Sequence, residues 1–257
     1  MRFMQQLIMC LVLTVGTVLY GWAGGSVEIE ESGLRNINEV YFNAPGTLYL
    51  TQGSPPSFRM EGPEKALDKI IVETKGNAIT IKTKPMSVFT IGKNMAFYLT
   101  VPELRVIAAG SSGNIEGGTV KNRKLAIRAG SSGTISIDDV ITDALTVKTS
   151  SSGDVLIKSC TTEEADLRSS SSGSIRIAGS TEKLSVNLSS SGDLKAEEFV
   201  AETGEIRVSS SGLAEVWVTE TISVYISSSG DVLLWGSPRM SDIRTTSSGN
   251  FITKGDK

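Results

Sequence analysis

The chain has 257 residues, a formal charge of −3 and no histidine. That slightly acidic balance argues against a nucleic-acid partner, and the missing imidazole excludes Ser-His-Asp and Cys-His nucleophile machinery together with His-ligated zinc. With 26 glycines and only 6% aromatic residues, the composition suits many short strands joined by tight corners.

Residues 1–23 read as a secretory signal peptide. Arg2 supplies one positive charge, Leu7 to Ala23 carry none, and Gly21-Trp22-Ala23 offers small residues where a signal peptidase reads, with cleavage before Gly24. The rival is an uncleaved anchor helix, for which this run sits at the short limit of a bilayer ~30 Å thick. Lipidation at Cys10 fits poorly, because Met9 is large and the apolar run continues through Leu13. No later apolar stretch is long enough to span a membrane as a helix. The expectation is an exported protein in the periplasm, at the cell surface or secreted. Cys160 is then the single thiol of the mature chain, expected to pack as a small hydrophobe.

Residues 24–103 read as strands separated by turns. Val40 to Phe42, Thr47 to Leu50, Ile70 to Val72, Ala78 to Ile81 and Phe97 to Leu99 alternate or run apolar. Ala44-Pro45-Gly46, Gly53-Ser54-Pro55-Pro56 and Lys75-Gly76-Asn77 supply turn signals, and Glu64 to Leu67 a helical turn. The expected role of this portion is to cap the solenoid that follows.

Residues 104–257 repeat one unit. Glycines 113, 133, 153, 173, 192, 212, 230 and 249 are spaced by 20, 20, 20, 19, 20, 18 and 19 residues, and two serines precede each one. Six residues before these glycines stand Ile107, Ile127, Val147, Leu167, Val186, Ile206, Val224 and Ile243. Two after them stand Ile115, Ile135, Val155, Ile175, Leu194, Ala214, Val232 and Phe251, with a further apolar column four after. Each unit therefore reads strand, Ser-Ser-Gly corner, strand, then a variable turn. One unit cannot bury its apolar face alone, so the units must stack. The predicted fold is all-β, a parallel β-helix or solenoid of about eight coils of 18–20 residues, roughly 38 Å long at ~4.8 Å per coil. The drift in coil length favours the right-handed kind over a strict hexapeptide helix, with a β-roll or prism as the runner-up. Glycine at the corner permits either a positive φ or close backbone approach, and the serines are structural.

The stretches Val40 to Gly53 and Ile70 to Ile81, then "VPELRVIAAGSSG" and the recurring "SSSGDV", resemble the auto-transporter adhesin head domain called the head GIN domain. The resemblance covers residues 36–254 and implies an all-β, helix-like fold in bacterial envelope or secreted proteins. It carries over no catalytic residue. The run of membrane-barrel strands expected of an autotransporter does not follow residue 254.

The same alignment ranks the outward positions. Five before each glycine stand Ala108, Arg128, Lys148, Arg168, Asn187, Arg207, Tyr225 and Arg244, a basic stripe that either solvates a strand face or meets anionic glycans or lipid headgroups. Trp217 and Trp235, each five after its glycine, should lie side by side with Tyr225 nearby, as a sugar-stacking patch or as mutual packing. Asn114, Asp154, Asp193, Asp231 and Asn250, one after their glycines, converge too poorly for calcium and read as turn residues. No catalytic residue, metal ligand or cofactor is expected. The leading functional expectation is a non-enzymatic, adhesin-like binding module facing a glycan or envelope component. The alternatives are an envelope element that assembles end to end, and a polysaccharide-acting enzyme using Asp138-Asp139, an adjacent acidic pair inside the coils.

Overall fold

A computed structural model describes residues 26–29, 33–85, 95–246 and 248–256. The signal-peptide reading of residues 1–23 lies outside the described residues. The chain is nearly all β, arranged as a parallel solenoid of about seven turns. The sequence predicts about eight coils, and the structure closes about seven turns.

Six long strands form the body: β9 (Gly113–Ala129), β10 (Thr134–Thr149), β11 (Asp154–Ser169), β12 (Ser174–Leu188), β13 (Asp193–Ser210) and β14 (Leu213–Ser228). Each pairs in parallel with the next, one coil per rung, as in Ile135↔Val155 and Val147↔Leu167. Apolar columns stack on themselves and give one continuous core; Ile127, Ile135, Val147, Ile157, Leu167 and Ile175 are all buried.

Each coil has three sides. In β10 the residues Ile135 and Ile137 face inward, the phase slips at Asp138-Asp139, Val140 and Thr142 face inward, it slips again at Asp143-Ala144, and Leu145, Val147 and Thr149 complete the turn. Strict alternation keeps a strand on one plane, so each slip marks a bend. The stretch read from sequence as a variable turn is therefore a β side of its own, the second of the three in chain order. Its inward column includes Thr142, Thr162 and Thr181, which an apolar template passes over. Their hydroxyls donate to carbonyls at the bend: Thr162 Oγ1 to Asp143 O and Glu164 O, each at 3.1 Å, and Thr181 Oγ1 to Glu163 O at 3.1 Å. Threonine thus satisfies polar backbone atoms that the ladder leaves unpaired where the chain turns.

At the Ser-Ser-Gly corner the left-handed conformation falls on serine, not glycine. Ser111, Ser131, Ser151, Ser171, Ser190, Ser210 and Ser228 have φ between 49° and 67°. The glycines that follow are needed for space. A Cβ at Gly153 would stand 2.4 Å from the carbonyl carbon and oxygen of Ala129, and one at Gly133 2.7 Å from those of Ala109. Of the two roles open to glycine, close approach is the one used.

The N-terminal strands join the same stack out of chain order. β2 (Glu39–Asn43) and β3 (Gly46–Gln52) form a coil that pairs in parallel with β8 (Val106–Ala109) and the start of β9, aligning Gly46 with Gly113. On the opposite edge β2 meets β6 (Ala78–Thr83) and β3 meets β7 (Ala96–Val101), again in parallel. The coil formed first is thereby enclosed on both sides. Beyond it β1 (Ser26–Ile29), β4 (Ser57–Glu61) and β5 (Ile70–Lys75) run antiparallel to their neighbours, and α1 (Glu64–Leu67) buries Ala66 and Leu67. At the far end β15 (Asp231–Trp235) extends the first side from β14, β16 (Arg239–Thr246) continues the third, and β17 (Asn250–Gly255) pairs with β15.

Candidate functional site

The basic stripe is one in-register column. Ala108, Arg128, Lys148, Arg168, Asn187, Arg207, Tyr225 and Arg244 stand opposite one another on successive rungs, and Tyr41 heads the column beside Ala108. Like charges ~4.8 Å apart on neighbouring strands repel, and much of this column is compensated. Arg168 binds Asp166 at 2.9 Å, Arg244 binds Asp242 at 3.0 Å, and Arg207 pairs with Glu205, each acid sitting two residues earlier on the same outward face. The hydrogen bond to Asp166, then its charge, raises the Arg168 pKa above its ordinary value.

The companion column is acidic at Asp166, Glu205 and Asp242, carries Ser185 and Ser223 beside the uncharged Asn187 and Tyr225, and leaves a gap without acids at Val106, Ala126 and Thr146. Arg128 and Lys148 stand beside that gap, so the positive field concentrates on two rungs rather than along the whole stripe. Tyr41 lies within reach of Arg128. Burial and a 3.0 Å hydrogen bond to Glu39 raise its pKa, while the Arg128 charge opposes the rise.

Trp217 and Trp235 are in register on adjacent coils, as their spacing predicts, and both are half-buried. Tyr225 does not join them. It stands on the third side, 44% exposed between Arg207 and Arg244, whereas the tryptophans end the first side. The intervening second side separates the two, a consequence of the bend that the alternation slip reveals.

Asp138 pairs with Lys158 at 2.7 Å, so the acidic pair considered for hydrolysis is partly neutralised. Asp193 and Asp231 accept backbone N–H groups of the next coil, from Leu213 at 3.4 Å and Asn250 at 3.1 Å. They therefore tie coil to coil rather than closing their own turn. Among the described residues no group of three or more His, Cys, Asp or Glu side chains is placed to hold a metal.

Sequence reasoning missed an aromatic stack on the first side. Tyr49 and Tyr98 pair in register with ring centroids 5.2 Å apart and planes 19° from parallel, and the Arg59 guanidinium lies 4.5 Å over Tyr98. Arg59 in turn pairs with Glu61. The rings cover each other's faces, so this stack clamps β3, β7 and β4 together. Tyr49 stands three after Gly46, the structural counterpart of a repeat glycine. Extending the glycine grid back to Gly46 would have found it.

A three-sided parallel solenoid, in which each coil contacts only its neighbours, places the chain in the class of repeat proteins. The chain belongs to the family described as "Putative auto-transporter adhesin, head GIN domain", whose profile matches residues 36–159 and again 125–238. Among solved structures it is similar to a protein described as a "putative adhesin" from Parabacteroides merdae, with TM-score 0.82 and 16% identity over 89% of this chain and 95% of that one. A protein of the same description from Parabacteroides distasonis gives TM-score 0.82 at 18% identity, again over 89% of this chain and 95% of that one. A protein from the same organism described as a "Putative lipid binding protein" gives 0.78 at 21% identity with the same coverages. At these identities the likeness shows the fold. No curated protein matches the chain.

Proposed function

We propose that the chain is an exported, non-enzymatic, adhesin-like binding module whose rigid flank holds an anionic group of a glycan or cell-envelope component. The observation that carries this reading is the Arg128/Lys148 pair, two adjacent cations at the break in the acidic column. Both project from a sheet whose neighbouring rungs fix their spacing, so little backbone ordering remains for binding to oppose. Sulfate, carboxylate and phosphate share the chemistry such a pair recognises. The family description supports a binding role, and the lipid-binding relative makes a phospholipid headgroup as natural a source of that anion as a glycan. No helix among the described residues is long and apolar enough to cross a membrane.

A glycan array and an envelope-extract pull-down test this with the parent protein, an Arg128→Glu/Lys148→Glu variant and a Trp217→Ala/Trp235→Ala variant. Loss of retention in the first variant alone supports the anion-binding flank. Loss in the tryptophan variant alone would move the site to the end of the first side.

A further inference from the structure

Arg128 shares its coil with other cations. β9 also carries Lys121 on the second side, and Arg123 and Lys124 at the bend between the second and third sides, all exposed. With Arg128, and with Lys148 on the neighbouring rung, they form a basic belt that runs across the coil and turns a corner. Among the described residues none of these side chains lies within ion-pair distance of a carboxylate, whereas Lys158, Arg168, Lys183 and Arg207 on the following coils are all paired. The backbone under the belt is pinned by two side-chain amides. Gln52 Nε2 donates to Lys121 O at 2.9 Å, and Lys121 N donates to Gln52 Oε1 at 2.8 Å. Asn122 takes the place that later coils give to Thr142 and Thr162. Its Nδ2 donates to Leu104 O at 2.7 Å, and its Oδ1 accepts from Arg123 N at 2.7 Å. Glu103, on the preceding turn, is already engaged by Arg105 at 2.8 Å.

We infer that the ligand of this flank is a linear anionic polysaccharide that crosses the solenoid along β9, from the Arg128/Lys148 pair over the bend to Lys121. The assignment rests on the Arg128/Lys148 reading above, which it deepens. Charge fixes the direction. A polyanion laid along the axis would meet Asp143, Glu163, Glu182 and Glu202 at the bend, and arginines already paired with acids at Arg168 and Arg207 on the third side. From Lys121 to Arg128, by contrast, every charged residue is a cation. Shape selects the kind of ligand. The path is roughly 23 Å of strand at ~3.3 Å per residue, and it turns a corner. A flexible chain of sugars can follow it. A bilayer is flat on this scale, so a membrane laid on the third side leaves Lys121 out of reach. The stretch has no aromatic side chain, and so lacks the stacking platform that single-stranded nucleic acid uses. Acidic groups repeated along one polymer engage successive cations at high effective concentration, on a backbone that is already ordered.

Equilibrium binding of long-chain heparin, of a heparin disaccharide and of vesicles containing an anionic phospholipid tests this. The proteins compared are the parent, Lys121→Gln/Arg123→Gln, Arg128→Glu/Lys148→Glu and Arg207→Gln. The parent should bind the long chain more tightly, unit for unit, than the free disaccharide. Lys121→Gln/Arg123→Gln should weaken long-chain binding at least about fivefold. Its salt dependence should also become shallower, because fewer cations release counterions. Its binding of the disaccharide and of vesicles should match the parent's, and Arg207→Gln should change nothing. Lys121 and Arg123 are exposed and both amide clamps remain, so the melting profile should hold. If that variant fails to fold, the length dependence of the parent decides. Long-chain binding that survives Lys121→Gln/Arg123→Gln but not Arg128→Glu/Lys148→Glu overturns the path across β9 and leaves the anion-binding flank standing. Survival in both variants removes the flank as well. Equal losses on heparin and vesicles would make a membrane the partner, and a comparable loss in Arg207→Gln would turn the polymer along the axis; either overturns the proposal. So does a parent that binds the disaccharide as tightly, unit for unit, as the long chain, or that binds vesicles alone.

Discussion

Replacing Gly153 by alanine isolates the demand that the corner makes on its glycine. The added Cβ would sit 2.4 Å from the Ala129 carbonyl carbon and oxygen and 2.7 Å from the Gly130 nitrogen. Ordinary van der Waals contact begins about 1 Å further out, and the obstructing atoms are backbone held in the ladder, so the coils on both sides must separate. Overpacking of this kind costs about 1–3 kcal/mol, and a backbone obstacle argues for the upper end. For a chain of this size that corresponds to a loss of roughly 5–10 °C in melting temperature, at about 2–4 °C per kcal/mol. Gly118→Ala is the matched control, since nothing lies within 4 Å of its added Cβ. It should leave the melting temperature unchanged or raise it slightly, by about 0.5 kcal/mol of restricted unfolded chain. Thermal unfolding followed by far-ultraviolet circular dichroism reads both. Equal melting temperatures for parent and Gly153→Ala would refute the close-approach reading of the corner.

Ser151→Gly should hold or raise stability, by up to about 1 kcal/mol, because Ser151 adopts φ 55° and glycine carries no penalty there; a lower melting temperature would count against a strained serine. Phe199 is fully buried where β13 bulges between Ala196 and Val200, so Phe199→Ala should cost about 3–5 kcal/mol in chemical denaturation. Burial, and then the Asp139 charge, push the Cys160 thiol up to about 12 from an ordinary value of 9.0. The folded chain therefore keeps a proton that the unfolded chain releases above pH 9, and this group lowers stability as pH rises from 9 towards 12. Cys160→Ala should flatten that part of the pH–stability curve, and native Cys160 should react with thiol reagents only on unfolding.

The stacking direction was legible because equal spacing forces equal registers. The 20-residue steps reproduce the pairing of β10 with β11 residue for residue. Where the step shortens to 19, between Gly173 and Gly192, β11 and β12 slip between Ile157 and Cys160, and Gly179 closes the tighter bend. The second side escaped notice because its inward residues include Thr142, Thr162, Thr181 and Cys160, chosen for carbonyls at a bend or for volume rather than for apolarity alone. The interleaving of β2 and β3 between β6/β7 and β8/β9 was also hidden. Strand patterns reveal faces, but the order of strands distant in sequence depends on connections that periodicity does not encode. Columns of the candidate site were readable wherever the glycine grid reached. Their charge compensation required knowing that residues two apart on a strand share a face without a bend between them, which holds for Asp166 and Arg168. A bend divides Trp217 from Tyr225.

The functional account is tested most directly by equilibrium binding of the parent and of Arg128→Glu/Lys148→Glu to a sulfated polysaccharide and to vesicles containing an anionic phospholipid. The account predicts saturable, salt-sensitive binding by the parent to at least one of the two. Reversing the two charges should weaken it at least about tenfold, the equivalent of ~1.4 kcal/mol, with the melting temperature unchanged. Binding that survives the double reversal, or a parent that ignores both anionic surfaces, would contradict it.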